Sequence, residues 1–519
     1  MEGREAPGTT RPEPSIARNS AAQTLPVFVG YLGSFVSAPI VLGGLGLRAF
    51  GIWALTGALA QYGGLLDLGL GRAMSRFIAL HDARGDVRAV GQVNAIGLLG
   101  TLFVGVPLAG LALVAAAPVA SDIGHISTGH MRALLLCSAG MVELGMMTRA
   151  LSAWPVGLRR MVAVNVAFAA GGLINFAFSV TTILLGGGLI PYALANLAAS
   201  VVAVIVMLGT VLASEGRPPL RLPSAARWRE VVVFAVKGQL VAVSDLINYQ
   251  TDKIVIALTV GPEVAGAYDI ANRVCAAARA VGVFTQSALV PSFAAWVARG
   301  GVATVRQSYE TLAKRCAAIS FPALLLCAAS APLLLSAWLG HVPEHGTAIL
   351  VVLSCGYLAN VSSGVSYAVA AAGNAMDLPA RSSAVTALVN AILTAALAPL
   401  FGLWGVLAGT FLALSGGAAW QVALVQRRFG LALDVHWRAV RGPLILSAGL
   451  ALPVAVVAAL TSSGTPRAGQ AIVLILLAAA YGASYGLLAS VRNVLPTALS
   501  RRILAVWWQL RGRSVTAET

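Results

Sequence analysis

Ionisable side chains inside long apolar segments are the residues of this chain best placed to do chemistry. Burying a charge in hydrocarbon is costly, so such side chains normally face a partner or a water-filled cavity. Five acids and five bases fall inside such segments, so charge counting alone does not predict an anionic ligand. The ten residues are Asp67, Glu143, Asp245, Asp252, Asp269, Arg149, Lys237, Lys253, Arg273 and Arg279.

The seventh apolar segment carries four polar residues at helical spacing. Asp245, Asn248, Tyr249 and Asp252 follow the pattern i, i+3, i+4 and i+7. This spacing places side chains on one stripe of a helix. We expect the stripe to line a hydrated space.

The eighth segment carries a second polar stripe. Asn272, Arg279 and Gln286 recur at seven-residue intervals, and Asp269 and Arg273 lie beside Asn272. A guanidinium remains charged at any accessible pH and can bind phosphate oxygens through two hydrogen bonds. Arg273 and Arg279 are therefore our candidates for binding an anionic group, with Asn272 next to them.

Three further polar residues complete the predicted cavity. Glu143 and Arg149 are the main charged pair of the fourth segment, and Asn360 begins an uncharged stripe that continues to Ser363 and Tyr367. A buried acid can also couple transport to an ion gradient through its protonation, and our coupling candidates are Asp245, Glu143 and Asp269. The alternative for every one of these residues is a structural bond between helices.

The elements that must position these residues are membrane-spanning helices. The chain has 519 residues, of which 58% are hydrophobic and 10% are charged, and its mean hydropathy is +0.83. A stretch of about 20 apolar residues crosses the hydrocarbon core as a helix, and about fourteen occur. They lie near 22–45, 49–70, 90–116, 131–153, 161–186, 189–213, 231–259, 265–292, 316–338, 347–372, 381–401, 403–425, 442–461 and 469–490.

The placement of basic residues predicts the topology. The formal net charge is +16, but 27 of the 35 Lys and Arg residues fall in alternate loops and in the two terminal segments. This asymmetry follows the positive-inside rule, so we expect both termini in the cytoplasm. The positive charge is thereby explained without nucleic-acid binding.

The first half of the chain recurs 215 residues later. Gly51 falls on Gly266, Pro107 on Pro322 and Asn175 on Asn390, without gaps. One repeat holds six helices, so we expect two parallel lobes related by a pseudo-twofold axis along the membrane normal. The predicted organisation is a disordered cytoplasmic tail (1–21), a first lobe (22–213), a cytoplasmic linker (214–230), a second lobe (231–425), two accessory helices (426–490) and a cytoplasmic tail (491–519).

The five cysteines fall in or beside predicted helices and show no CxxC spacing. We interpret them as small packing residues. The sequence therefore predicts no metal site, no cofactor and no catalytic residue.

Two stretches resemble a known family. One is Phe50-Gly51-Ile52-Trp53 followed by Asp67-Leu68-Gly69-Leu70-Gly71, and the other is Gln250-Thr251-Asp252-Lys253-Ile254 followed by Gly261-Pro262 and Ala271-Asn272-Arg273. They are similar to the second span, and to the junction of spans seven and eight, of bacterial polysaccharide flippases. These proteins belong to the superfamily of multidrug, oligosaccharidyl-lipid and polysaccharide exporters, and the resemblance extends over roughly 25–425.

The resemblance implies a flippase of the bacterial cytoplasmic membrane that works by alternating access. Its substrate would be an undecaprenyl-diphosphate-linked oligosaccharide, moved from the cytoplasmic to the outer leaflet. A coupling ion, H⁺ or Na⁺, and other membrane proteins of polysaccharide assembly are the partners implied. The diphosphate would bind Arg273 and Arg279.

Other functions remain open at this stage. A cation-coupled multidrug antiporter of the same superfamily would favour acids free to bind cationic drugs. A membrane-embedded glycan polymerase or transferase would need catalytic groups in a sizeable loop, where the chain offers little beyond scattered histidines and acids. A structural scaffold would not explain five bases within spans.

Overall fold

The computed structural model describes residues 16–67, 69–123, 126–287, 289–373, 375–462, 464–492, 494–495 and 500–503. Within these ranges some side chains are not described. They are those of 16–23, 66–67, 237–238, 240–242, 287 and 289–307. Asp67 and Lys237, as side chains, therefore lie outside the described residues, as does most of each predicted tail. The first helix nevertheless begins at Ile16, inside the segment predicted to be a tail.

The described part of the chain contains sixteen α-helices, one short 3-10 helix (Gly64–Asp67) and no strand. In order, the α-helices are α1 (Ile16–Gly63), α2 (Leu70–Asp82), α3 (Val87–Ile123), α4 (Thr128–Gly157), α5 (Met161–Leu184), α6 (Leu189–Glu215), α7 (Ala225–Thr259), α8 (Pro262–Ser287), α9 (Leu289–Ala329), α10 (Ala331–Leu339), α11 (Gly346–Ser362), α12 (Gly364–Ala372), α13 (Asp377–Phe401), α14 (Leu403–Phe429), α15 (Val435–Thr461) and α16 (Arg467–Val491).

Eleven helical segments among the described residues are long and apolar enough to cross a membrane. One of them, in α1, contains two predicted spans, separated at Gly46, where φ is +79°. Because a side chain at such a φ is strained, glycine is suited to this kink. Helices α7 and α8 are not among the eleven segments, and they remain predicted spans.

Large apolar side chains on the surface indicate that lipid, and not water, surrounds these helices. Phe103 is 72% exposed, Val114 77% and Leu185 82%. A soluble protein rarely exposes so much contiguous apolar surface, whereas hydrocarbon solvates it. The chain is a polytopic, all-α membrane protein.

The helices group into two compact units. Unit 1 comprises Met1–Ser37, Gly63–Val114 and Leu136–Gln239, and unit 2 comprises Ala38–Tyr62, Ala115–Leu135 and Leu240–Thr519. This grouping reports which segments pack together rather than which are duplicated. The lobes at 22–213 and 231–425 therefore stay a prediction.

In unit 1, α2, α3, α4, α5, α6 and the first part of α7 enclose a common core that includes Met74, Ile96 and Val231. The segment that precedes α7 is bound to the beginning of α3. Arg221 donates its backbone N–H to the carbonyl of Gly91 (3.1 Å), and Asn94 donates to the carbonyl of Pro219 (3.2 Å). The predicted linker is thus held on α3.

In unit 2, the part of α1 after the kink packs against the beginning of α8. The backbones touch at Gly51 and Gly266, because a Cβ on Gly51 would collide with the Pro262 carbonyl and one on Gly266 would lie 2.8 Å from the Leu47 carbonyl. Residues one repeat apart meet in this contact, since Arg48 also forms an ion pair with Glu263 at 3.0 Å. Contacts between equivalent positions are what a local twofold axis produces.

The two helices outside the repeat, α15 and α16, pack on α9 and α10 of unit 2. The Tyr485 hydroxyl donates to the Ala318 carbonyl (2.9 Å), and Ser336 donates to Gln470 (2.6 Å). These two accessory helices therefore dock on the chain itself.

The contact between α1 and α8 generates a test. Gly51→Ala should lower the free energy of unfolding by about 1–3 kcal/mol, because the methyl group has no space against the Pro262 carbonyl. Gly57→Ala is the matched control in the same helix, since nothing lies within 4 Å of its added Cβ. Thermal or denaturant unfolding of the purified variants in one detergent measures both. Equal stability of the two variants would contradict the close approach.

Candidate functional site

Unit 2 contains a cavity of about 590 Å³ between α7, α8, α11, α12, α13 and α14. Its polar lining consists mainly of amides, hydroxyls and tyrosines, together with one carboxylate and one guanidinium. These residues are Asp245, Asn248, Tyr249, Arg279, Gln286, Asn360, Ser363, Tyr367, Ser383, Thr386 and Gln421.

The polar stripe of α7 divides between this cavity and the packed interior. Asp245, Asn248 and Tyr249 line the cavity, as the i, i+3, i+4 spacing predicts for one face. Asp252 does not line it and is fully buried. It accepts hydrogen bonds from the hydroxyls of Tyr268 (2.5 Å) and Thr410 (2.7 Å), which tie α7 to α8 and α14.

Arg279 is the cationic group of the cavity lining. Its guanidinium carbon lies 4.6 Å from the centre of the Tyr249 ring and 5.7 Å from that of Tyr357. Its Nε is buried and has no hydrogen-bond partner among the described residues. Stacking on tyrosine orients a guanidinium and leaves its in-plane N–H donors available. Arg279 can therefore donate to an anionic or hydroxylated ligand in the cavity.

The tyrosines beside Arg279 are fixed by neighbouring amides. Tyr249 donates its hydroxyl hydrogen to Oδ1 of Asn360 at 3.5 Å, a long bond, and Tyr357 donates to Oδ1 of Asn272 at 2.5 Å. The two rings pack edge to face, with centres 5.7 Å apart. Asn272 itself is not part of the cavity lining, so its contribution is to position Tyr357.

Arg273 occupies a different environment from Arg279. Its Nε lies 2.8 Å from Asp269, whose other carboxylate oxygen lies 2.6 Å from the Lys253 ammonium. The guanidinium also lies over the Phe50 ring, at 5.3 Å from the ring centre. The single carboxylate of Asp269 thus pairs with both cations. Neither Arg273 nor Asp269 lines the cavity.

Glu143 and Arg149 lie in unit 1, and neither belongs to the cavity lining of unit 2. The Glu143 carboxyl packs against the bare Cα of Gly105, whose added Cβ would lie 3.1 Å from the carboxyl carbon. Arg149 is exposed, and its Cβ lies beside Gly71. Their roles stay predictions.

The cavity wall contains a break in a helix that the sequence analysis treated as one span. Helix α11 ends at Ser362 and α12 begins at Gly364. Gln286 donates to the carbonyl of Val361 (2.6 Å) and Gln421 to that of Ser363 (3.4 Å). Ser363 keeps right-handed helical angles (φ −74°, ψ −7°), so the break is a local distortion of the helix at the cavity wall. Gly364 leaves space for the Gln286 amide, because a Cβ at position 364 would collide with it.

Gln421 is a lining residue that the sequence analysis missed. The available signal is the one amide side chain in the predicted span 403–425. The run Ser362-Ser363-Gly364 similarly marks the break, since small polar residues and glycine weaken a helix interior.

Residues 16–296 match the family described as polysaccharide biosynthesis protein. This match covers more than half of the chain. The chain belongs to the polysaccharide biosynthesis protein family. No curated protein shows significant sequence similarity to it.

Solved structures with the same fold are transporters. The lipid II flippase MurJ, in an inward closed conformation, superposes with a TM-score of 0.67 at 12% identity, over 90% of this chain and 98% of that one. An inward-facing multidrug resistance MATE family transporter of the MOP superfamily gives 0.63 at 16% identity, over 80% of this chain and 99% of that one. Its outward-facing counterpart gives 0.51 at 17% identity, over 81% and 96%. At these identities the likeness establishes the fold alone.

The cluster of Lys253, Asp269 and Arg273 generates a second test. Asp269→Asn should lower the free energy of unfolding by about 3 kcal/mol, because two mostly buried cations lose their shared counter-charge. Adding Lys253→Met should restore part of the loss, since it removes one of the two cations. Unfolding of the single and double variants checks this. Additive losses would show that Lys253 and Asp269 are not coupled.

Proposed function

We propose that this protein is a flippase for a lipid-linked oligosaccharide. It moves an undecaprenyl-diphosphate-linked glycan from the cytoplasmic to the outer leaflet of a bacterial cytoplasmic membrane, in the assembly of a surface polysaccharide. The observation that carries the proposal is a cavity within a family member's membrane helices whose lining is rich in amides, hydroxyls and tyrosines. Family membership and the flippase-like fold support it.

The lining has the chemistry that a glycan needs. Sugar hydroxyls both donate and accept hydrogen bonds, and the side-chain amides of Asn248, Asn360 and Gln421 offer both functions. Tyrosine rings provide flat apolar surfaces on which sugar rings can pack. The volume of about 590 Å³ falls in the range of roughly 300–1,000 Å³ typical of ligand cavities, enough for a few sugar units.

The diphosphate of the substrate needs cationic partners. The two candidate arginines, Arg279 and Arg273, differ in whether their N–H donors can reach a ligand. Arg279 faces the cavity with an unpaired Nε, so it is our first candidate for the diphosphate. Arg273 is bound to Asp269, so it is our second candidate for the diphosphate. The polyprenyl chain has no need of this cavity, because hydrocarbon already solvates it.

Ion coupling, by H⁺ or Na⁺, remains part of the proposal. Of the three coupling candidates, Asp245 lines the cavity, where its carboxylate can respond to the presence of substrate. Asp269 is engaged by two cations, and Glu143 belongs to unit 1. Asp245 is therefore the residue whose neutralisation should change the ion dependence of transport.

A cation-coupled multidrug antiporter is the second candidate, and one observation favours it. The cavity combines the Asp245 carboxylate with the aromatic rings of Tyr249 and Tyr367, a combination that can bind organic cations. The two proposals differ in substrate charge, so a transport assay separates them.

Transport in liposomes tests the proposed function. We expect the wild type to flip a lipid-diphosphate oligosaccharide, and Arg279→Ala to slow flipping by about tenfold or more, because a charge-assisted bond to phosphate is lost. Arg279→Lys should retain part of the rate. Arg438→Ala, which removes an exposed arginine paired with Asp434, is the control and should flip normally.

Two results would overturn the proposal. Wild-type rates in an Arg273→Ala/Arg279→Ala double variant would remove the diphosphate assignment. Export of a cationic dye, with no flipping of the lipid-linked glycan, would replace the flippase with the antiporter.

A further inference from the structure

A second, smaller cavity lies in unit 1, where α2 begins beside the first part of α7. Its volume is about 250 Å³. Gly69, Arg72, Ala73 and Arg76 line it from the α2 side, and Phe234 and Ala235 line it from α7. Neither the fold nor the proposed transport cycle requires this cavity.

The two arginines of this cavity share one side of α2. Arg72 and Arg76 are spaced i, i+4, which places successive side chains on the same helical face. Both are exposed, and among the described residues neither has a carboxylate within 4.0 Å. Two cations that have no counter-charge among the described side chains therefore line one small concave surface.

Arg76 is held in a fixed orientation. Its guanidinium carbon lies 4.1 Å above the centre of the Phe234 ring and 5.7 Å from that of Phe77. The two rings contact each other edge to face, with centres 5.6 Å apart. Because the N–H donors of a guanidinium lie in its plane, stacking leaves them free to bind an oxyanion. Orientation in advance lowers the entropic cost of binding.

The N-terminus of α2 adds backbone donors. The helix starts at Leu70, and no side chain caps its first turn. The N–H groups of a first turn have no partner within the helix, and the helix dipole favours an anion there. Gly69, the residue just before the helix, lines the cavity. Phosphate commonly binds at such a helix start.

The size and walls of the cavity restrict the ligand. About 250 Å³ is below the roughly 300–1,000 Å³ of pockets that enclose larger ligands, so an oligosaccharide does not fit. Phe234, which is 37% exposed, and the two alanines form an apolar rim beside the cations. A ligand with a compact anion attached to an apolar body satisfies both features.

We propose that this cavity binds the phosphate of an anionic phospholipid from the surrounding bilayer. The basic segment from Arg72 to Arg88 is predicted to lie at the cytoplasmic face, where anionic lipids attract arginine side chains. The bound lipid bridges the first turns of α2 and the first part of α7. Stability of unit 1 then depends on the anionic lipid content of the membrane. The proposal does not depend on the flippase function.

Native mass spectrometry of the full-length purified protein, titrated with phosphatidylglycerol or phosphatidylcholine, tests the proposal. Wild type should bind phosphatidylglycerol more tightly. Arg72→Gln/Arg76→Gln should weaken its first binding step about tenfold or more, because both guanidinium groups that line the cavity are lost. Arg72→Lys/Arg76→Lys should retain part of the affinity. Without lipid, the thermal unfolding midpoint of the glutamine variant should fall by no more than a few degrees, because the exposed Arg76 loses only its stacking on the Phe234 ring.

The matched control is Arg84→Gln/Arg88→Gln. It removes the same charge from two exposed arginines of the same segment that do not line the cavity, and phosphatidylglycerol affinity should not change. Equal weakening in the control would show a diffuse surface attraction instead of a site. Wild-type affinity in the Arg72/Arg76 glutamine variant would also overturn the proposal.

Two competing probes identify the source of the phosphate. Inorganic phosphate at millimolar concentration should leave phosphatidylglycerol bound, because it lacks the apolar body that packs on Phe234. Farnesyl diphosphate, a short polyprenyl diphosphate, should compete weakly. Full displacement by inorganic phosphate would assign the cavity to a free anion, and preferential binding of farnesyl diphosphate would assign it to the transported lipid. Either result would exclude a bilayer phospholipid as its ligand.

Discussion

The structure depends on the requirement that polar groups inside a membrane find a partner or water. Hydrocarbon offers no hydrogen bonds, so each buried charge or free carbonyl must be satisfied by the protein or face a hydrated space. In unit 2, Asp252 is satisfied by the hydroxyls of Tyr268 and Thr410, and Asp269 by Lys253 and Arg273. With these groups satisfied internally, Asp245 and Arg279 are the charged residues left to line the cavity.

The same requirement explains the break between α11 and α12. At the break, Gln286 donates to the carbonyl of Val361, and the carbonyl of Ser363 accepts both the backbone N–H of Tyr367 and the Gln421 amide. Gly364 has no side chain to block the Gln286 amide. The break places hydroxyls and amides on the cavity wall, which is the lining we propose for a glycan.

Sequence patterns predicted the helices and one face of the site. Most of each predicted span is helical among the described residues, and the helical spacing of Asp245, Asn248 and Tyr249 places them on one surface, as the cavity lining shows. The pattern could not show that Asp252 meets Thr410, because that contact joins residues 158 positions apart. Arg273 and Arg279 were assigned together, yet six residues correspond to about 1.7 helical turns, so their side chains point in different directions. Helical geometry alone could therefore have predicted that Arg273 and Arg279 do not line the same cavity.

Accessibility of the cavity to water tests the account most directly. In a cysteine-free background, Ser383→Cys places a thiol in the cavity lining, and Ser447→Cys places one in the fully buried interior of α15. The account predicts rapid reaction of the first with a small charged thiosulfonate reagent, slowed by a lipid-diphosphate oligosaccharide, and little reaction of the second. Equally slow labelling of both positions would mean that no hydrated cavity exists, and the account would be wrong.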